Sequence, residues 1–588
     1  MIKLSLRLRY SLTLAILLSI TPLHADLDQE YAQQAQVAFN EGKTDTAITL
    51  YKKALAVNDQ NLEVHFNLAN IYYHQGNVTD AITHYQKAIE CDQNCAAAHF
   101  NVGLAFKKQE KFDRAITHLK KVTELNPTHV KARMHLGSCY HSKNKYDLAL
   151  EQFNKILEQD TFNFEAMHNI GVVLRSQEKL DESIKMLRKA YSLAPKNLSI
   201  ILDLANTLNM QEHTEEALTL YKKISEINPN VIEARYNTAY TLKKLGHFKE
   251  AIAIYEELLK IKSDYPSARF GLSLAYLATG DFERGWPLYE SRWAAYNETP
   301  KKFSEPTWEG QDLTGKTILL YAEQGYGDTF EFARYALEIK QKYGAKIILE
   351  VQKPLTKVLS LCPYLDHVIP SGNTLPMFDY QIPLMSLPLI FKTTVNTVPV
   401  QIPYLYADEQ LIAEWKEKLA SDKNFKIGIC WQGNPNYRTQ FLRAAVAHKS
   451  MRAEMFAPLA KIPGVTLYSL QKMSGEDQLK DLNGKVMIHE FGADFDNAHG
   501  RFMDTAAVIK NLNLVVTIDT SICHFAAALG APVWNLLPCP ADWRWMVECD
   551  DTPWYPNMRL FRQPKSGDWD SVIERVTQEI KKLLASKA

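Results

Sequence analysis

The stretch VVTIDTSICHFAAALGAPVW, Val515 to Trp534, is the one from which the fold of the second half can be read. The apolar run Leu514 to Ile518 has the length of a buried strand. It stops abruptly at Asp519, Thr520 and Ser521. A small-residue helix carrying His524 follows, and Gly530 and Pro532 close it. An acid, two hydroxyls and an imidazole therefore crowd the end of one strand.

The neighbouring segments repeat this alternation. MDTAAVIKNLN reads as the helix before that strand, and VTLYSLQK as another strand, ending at Gln471. In FKIGICWQGNP, Ile427 to Trp431 is a strand that Gly433-Asn434-Pro435 breaks. Further upstream, KTILLYAEQGYGDTFEFARYALEIKQKYGAKIILEVQKPL reads strand, glycine turn, helix, strand. Its first strand is Ile318 to Tyr321, Gly325 and Gly327 permit a tight turn, and Phe330, Ala333 and Leu337 share a helix face from Thr329 onward. Pro383, Pro388, Pro399 and Pro403 mark edge and linker between the two groups. The expectation is two Rossmann-like halves with a cleft between them, over residues 303–410 and 424–564, then a C-terminal helix over 565–588.

In open parallel sheets, ligands bind beyond the carboxyl ends of the strands. Asp519, Thr520 and Ser521 stand at such an end, and a helix N-terminus there favours phosphate. The two hydroxyls can donate to phosphate oxygens, His524 lies one turn into the helix, and Asp519 suits a sugar or ribose hydroxyl. An aspartate capping a helix beside a satisfied core histidine accounts for the same residues without a ligand.

The first half obeys another rule. Ala47, Ala81, Ala115, Ala149, Ser183, Ala217, Ala251 and Gly285 are each 34 residues apart. Four residues after each come Tyr51, Tyr85, Leu119, Phe153, Leu187, Tyr221, Tyr255 and Tyr289. This is the tetratricopeptide pattern, about eight helical hairpins over residues 28–299, whose stacking forms an all-α superhelix with a concave groove. One groove position is polar in unit after unit: Asn67, Asn101, Asn169, Asp203 and Asn237, with Gln33 and His135 in the same register. A ladder of carboxamides suits the backbone of an extended peptide, although asparagine is common at this position of the repeat.

Formal net charge is +0, so no general polyanion surface, and no nucleic-acid partner, is indicated. Eight cysteines in 588 residues do not make a disulfide scaffold, and the Cys91/Cys95 pair has no second ligand pair at zinc spacing. Lys3, Arg7 and Arg9, the apolar run Leu12 to Ile20 and then Pro22 to Ala25 have the order of a secretory signal peptide or N-terminal anchor over residues 1–25. Export or membrane proximity is expected from it, and a cytoplasmic chain is the alternative.

The second half resembles the heptosyltransferase-type glycosyltransferases of the GT-B fold, in the form fused to tetratricopeptide repeats. The layout is similar to that of the protein O-linked N-acetylglucosamine transferases. EQGYGDTFEFARY, GICWQGNP, LYSLQK, DTAAVIKNLNLVVTIDTSICHFAAALGAPVW, DWRWM and WYPNMRLFRQ carry the resemblance in order. It implies an inverting, metal-independent transfer of a sugar from a nucleotide-diphosphate sugar, a donor substrate rather than a cofactor, to an acceptor hydroxyl. Asp328 matches the proposed catalytic base. Asp519, Thr520, Ser521 and His524 match the donor pocket, with Lys449 near the diphosphate and Gln471 facing the donor. Gly325, Gly327, Arg544 and Trp545 wall the cleft. Cys523 and Glu331 stand where alanine and glutamine are more usual. The repeats would recruit a protein acceptor or partner. A scaffold with a decayed transferase domain, and an envelope-glycan transferase acting on a lipid-linked saccharide, are the alternatives.

Overall fold

The computed structural model describes residues 27–436, 440–482, 484, 486–547 and 549–586. The signal-like segment 1–25 lies outside the described residues. No helix among them is long and apolar enough to cross a membrane. The chain forms two compact units that part after Leu220.

The first unit is a series of helical hairpins, such as Val130–Ser142 with Tyr146–Leu157 and Phe164–Ser176 with Leu180–Leu193. The small positions allow the two helices of a hairpin to approach. A Cβ on Gly137 would lie 2.6 Å from the Phe153 ring, inside contact distance. Where Ser183 replaces the usual alanine, its hydroxyl is satisfied by the Gly171 carbonyl at 2.7 Å. A second tie recurs at the 34-residue period. The first helix of a hairpin carries a side chain that engages the carbonyl six residues earlier and a side chain on the second helix. His65 meets the Asp59 carbonyl at 3.0 Å and His84 at 3.0 Å. His99 meets the Gln93 carbonyl at 3.1 Å and His118 at 3.0 Å. In the next repeat the pair is Arg133 and Gln152, 3.0 Å apart, with the Pro127 carbonyl 2.7 Å from the guanidinium.

The second unit starts inside the sixth repeat rather than at the end of the eighth. Its last two hairpins, Ile232–Lys244 with Phe248–Ile261 and Pro266–Ala278 with Phe282–Tyr289, share a core with the α/β region. Trp286 shows why: its indole N–H donates to the Thr393 carbonyl at 3.0 Å, and its ring meets Trp543 and Trp554 edge-on. The expected boundary at residue 299 marks where the period stops, not where packing changes.

Two all-parallel sheets follow. The first contains β1 (Thr317–Tyr321), β2 (Lys346–Val351), β3 (His367–Pro370) and β4 (Tyr380–Pro383), in the order β3-β2-β1-β4. The proline-rich stretch expected to be edge and linker thus supplies an edge strand, β4. The second sheet contains β5 (Phe425–Cys430), β6 (Val465–Ser469), β7 (Ile488–His489), β8 (Leu514–Ile518), β9 (Val533–Leu537) and β10 (Met558–Arg562). Its order is β10-β9-β8-β5-β6-β7. Numbered from each sheet's own first strand, the orders are 3-2-1-4 and 6-5-4-1-2-3, both reversing direction beside the first strand. Such a reversal is the place where α/β sheets open a ligand crevice. Lys449 ends the helix Gln440–Lys449. The C-terminal helix runs Trp569–Ala585.

Candidate functional site

The site stands at both reversal points. Past β1 the chain turns at Gly325 into helix α1, Tyr326–Phe332. The Gly325 N–H donates to the Asp328 carboxylate at 2.8 Å, so Asp328 closes the first turn of its own helix. Past β8, Thr520 caps helix α2, Ser521–Ala528, with extended backbone. The two helices touch at Gly327, where a Cβ would lie 3.1 Å from the His524 ring and 3.5 Å from the Ser521 Cα. A side chain at 327 would crowd the His524 ring.

Arg544 joins these elements. It follows β9 in the short turn Trp543–Trp545. Its Nε donates to Glu331 at 2.5 Å, its Nη2 to Asp328 at 2.5 Å and its Nη1 to Asp542 at 2.9 Å. One buried guanidinium thus serves three carboxylates, and Asp328 has one oxygen held by Arg544 and the other by its helix cap. Glu331 is 0% exposed and its Oε1 has no partner. Burial pushes the Glu331 carboxyl up to about 7 against the pull of Arg544 and Arg334.

His524 is buried, stacks on Trp545 with ring centres 5.2 Å apart, and meets the Tyr555 hydroxyl at 3.1 Å. Burial, then the Arg544 and Arg334 charges, holds it well below the usual imidazole range, so it is neutral at pH 7. Asp519 is 8% exposed, and among the described residues its carboxylate accepts no hydrogen bond. The Lys449 ammonium is 3.8 Å away and His524 Nε2 4.0 Å away, both beyond bonding distance. Thr520 and Ser521 are half-buried beside it. A nearly buried carboxylate with unfilled acceptor capacity, a neutral imidazole and a lysine form a pocket suited to hydroxyl and anion ligands.

Gln471 lies past the end of β6 as expected but does not face a ligand. Its oxygen accepts from the Trp431 and Gln432 N–H groups, each at 3.0 Å, and its NH2 donates to the Gln432 and Ser474 carbonyls at 2.9 and 2.7 Å. Its amide is committed to shaping the loop after β5. Trp545 is fully buried and acts as the platform under His524 rather than as an exposed wall.

The groove amides are partly committed as well. Asn101 donates to Asn70 at 3.0 Å, and Asn169 to the Glu165 carbonyl at 2.8 Å. Asp203 pairs with His168 at 2.6 Å and Arg175 at 2.8 Å, which leaves it a charged anchor. Asn67 and Asn237 are half-buried in the same register.

Sequence reasoning missed Arg334 and Tyr555 as parts of the site. Arg334 is buried, donates to the Trp554 carbonyl at 2.6 Å and the Tyr404 hydroxyl at 3.0 Å, and lies over the Tyr555 ring at 4.5 Å. The signal was an acid and an arginine, Glu331 and Arg334, inside the otherwise apolar run from Phe330 to Leu337.

Asp519, Cys523 and His524 bring a carboxylate, a thiol and an imidazole within 4.8 Å of one another. The Cys523 thiol donates to the Thr520 carbonyl at 2.9 Å, and the Lys449 ammonium lies 3.8 Å from Asp519. A cavity of about 710 Å³ opens elsewhere, lined by Trp415, Tyr468, Phe491 and Asp504 among others. Asp504 is already bonded to Trp415 at 2.8 Å and His499 at 2.9 Å, and the unfilled acceptor lies in the cleft instead.

Comparison with known proteins bears on the repeats. Residues 35–76 and 69–110 match a family described as TPR repeat. Residues 100–164, 236–296 and 174–242 match families described as tetratricopeptide repeat. Protein FlbA of Caulobacter vibrioides is 23% identical over 304 residues, which are 47% of this chain and 48% of that protein. The chain thus spans about half the length of this curated relative. The solved structure of MamA is 27% identical, covering 29% of this chain and 94% of that one, with a TM-score of 0.28. YrrB, described as a TPR protein with an unusual peptide-binding site, is 22% identical over 31% of this chain and 95% of its own, with a TM-score of 0.27. The N-terminal ~300 residues of the chain are tetratricopeptide repeats.

Proposed function

We propose that this tetratricopeptide-repeat protein is a glycosyltransferase that uses a nucleotide-diphosphate sugar and receives a protein acceptor or partner in its repeat groove. The observation that carries the reading is the unfilled Asp519 carboxylate, beside a neutral His524 and Lys449, at the reversal point of a parallel sheet. In this reading Asp519 accepts from a donor hydroxyl. Lys449 and the first N–H groups of α2 hold the diphosphate, with Thr520 and Ser521 donating to it. Asp328 takes the proton of the acceptor hydroxyl as it attacks the anomeric carbon, the bond to the diphosphate breaks, and configuration inverts. No resident cofactor or metal is part of the proposal.

A second reading has its own support. Both Asp328 oxygens are engaged, which suits a scaffold whose transferase region no longer turns over. Calorimetric titration of the full-length chain with a panel of nucleotides and nucleotide-sugars separates the two. Saturable binding of one diphosphate, lost in Asp519→Ala, supports the enzyme. No binding by the folded chain leaves the repeats as the function.

A further inference from the structure

A buried chain of hydrogen bonds runs from Arg334 through two phenols to His524. Arg334 Nη2 donates to the Tyr404 hydroxyl at 3.0 Å. The Tyr404 and Tyr555 hydroxyls lie 3.2 Å apart, and the Tyr555 hydroxyl lies 3.1 Å from His524 Nδ1. All four side chains are buried. Burial keeps both phenols protonated and the imidazole neutral. A guanidinium can only donate. The other N–H groups of Arg334 go to the carbonyls of Glu331, Pro399 and Trp554, which hold the side chain in place. On the far side of the imidazole, Nε2 makes no hydrogen bond among the described residues and stands 4.0 Å from the Asp519 carboxylate.

We propose that Tyr404 and Tyr555 are positioning residues that fix His524 as the tautomer with its proton on Nε2. The chain can run in two directions. In the first, Tyr404 accepts from Arg334 and donates to Tyr555, and Tyr555 donates to Nδ1, which leaves the ring proton on Nε2. In the reverse, Nδ1–H donates to Tyr555 and Tyr555 to Tyr404. The Tyr404 proton is then left the Glu331 carbonyl at 3.5 Å, which already accepts from Arg334 Nε at 2.8 Å. The reverse direction also turns a bare Nε2 lone pair toward the Asp519 carboxylate. The first direction puts an N–H there instead, which the negative charge attracts. Both sides of the ring select the same tautomer. The cleft thereby holds a fixed donor, Nε2–H, beside an acceptor, Asp519. A hydroxyl between them can accept from the one and donate to the other, whereas a deprotonated phosphate oxygen can do only the first. Resting on the donor-site reading, this gives His524 a hydroxyl of the sugar or ribose and leaves the diphosphate to Lys449 and α2.

The test is long-range proton–nitrogen NMR of the full-length chain, labelled at its histidine ring nitrogens, without ligand and at about pH 7.5. His524→Gln identifies the signal. The two nitrogens of His524 should differ as a bare Nδ1 and a protonated Nε2 do. A proton on Nδ1, or on both nitrogens, overturns the proposal. In Tyr555→Phe the donor to Nδ1 is gone, and the two shifts should move toward each other as the tautomers mix. Unchanged shifts in the folded variant overturn the proposal. Should Tyr555→Phe fail to fold, Tyr404→Phe acts one link further back, because Tyr555 is then free to accept from Nδ1–H. The shifts should again converge, and unchanged shifts overturn the proposal in the same way. A merely structural role for either phenol would move the melting point and leave the tautomer alone. The tautomer is read with no ligand present. The expected tautomer in a chain that binds no nucleotide therefore leaves the proposal standing and removes the donor-site reading. Nucleotide binding by a chain with the proton on Nδ1 does the reverse.

Discussion

In the fourth repeat, Gly137 lies against Phe153, a partner on the next helix. In the α/β region, Arg334 donates to the carbonyl of Trp554, 220 residues further on. The first contact is made again one repeat away, between Gly171 and Leu187. The second occurs once. A stack of hairpins is held by nearest neighbours, so damage to one repeat stays near it. The two sheets and the last two hairpins share one core, so damage there spreads.

The sharpest way to break that comparison is Trp286→Ala. It empties a site shared by the last hairpin and the Trp543/Trp554 cluster, and should cost about 3–5 kcal/mol. Denaturation should show the transition of the α/β unit moving while that of the first repeats stays; a common shift of both would merge the two regions. Gly137→Ala should cost about 1–3 kcal/mol by forcing a methyl into the Phe153 ring. Hydrogen exchange should report loosening confined to the adjoining hairpins, and loosening throughout the chain would contradict nearest-neighbour stability.

His524→Ala should weaken nucleotide binding by about 1–3 kcal/mol, if the imidazole bonds the donor. Unchanged affinity with lowered stability would return His524 to a purely packing role on Trp545. Acid separates the regions next. His84 and His118 are depressed to about 4, each chiefly by burial and then by its partner histidine. An unfolded chain binds those protons near pH 6.5, so stability is full above that value and falls as pH drops toward 4. The melting point of the first repeats should fall over that window, and His84→Gln with His118→Gln should flatten the fall. The smallest effect on stability belongs to Asn101, Asn169 and Asn237 changed together to alanine. Protein capture should weaken while nucleotide binding stays, and undiminished capture would remove the ladder as the recruiting surface.

The same contrast explains what was legible. Eight alanine, serine or glycine positions at a fixed period declare the hairpins, because each unit repeats its own contact. The strands of the sheets were legible as apolar runs, and Asp519 and His524 as residues at the end of one. The partners were not. Gln471 sits at a strand end like a ligand-facing residue, yet its hydrogen bonds go to the β5 loop and to Ser474 of its own loop. Arg544 carries no local mark of its three acids, which approach from 213 and 216 residues away and from two. Periodicity records local contacts; a guanidinium that crosses a cleft leaves no period.

The latch that joins each early hairpin to its preceding loop has interchangeable chemistry on one geometry. Two histidine pairs fill it in the second and third repeats, and an arginine–glutamine pair fills it in the fourth. Units alike in shape thus differ in what can undo them. Mild acid loosens the stack from its amino-terminal side and stops at the guanidinium, so a protease added at low pH should nick the second and third hairpins before the fourth. The stack has a direction of failure that its repeating outline conceals.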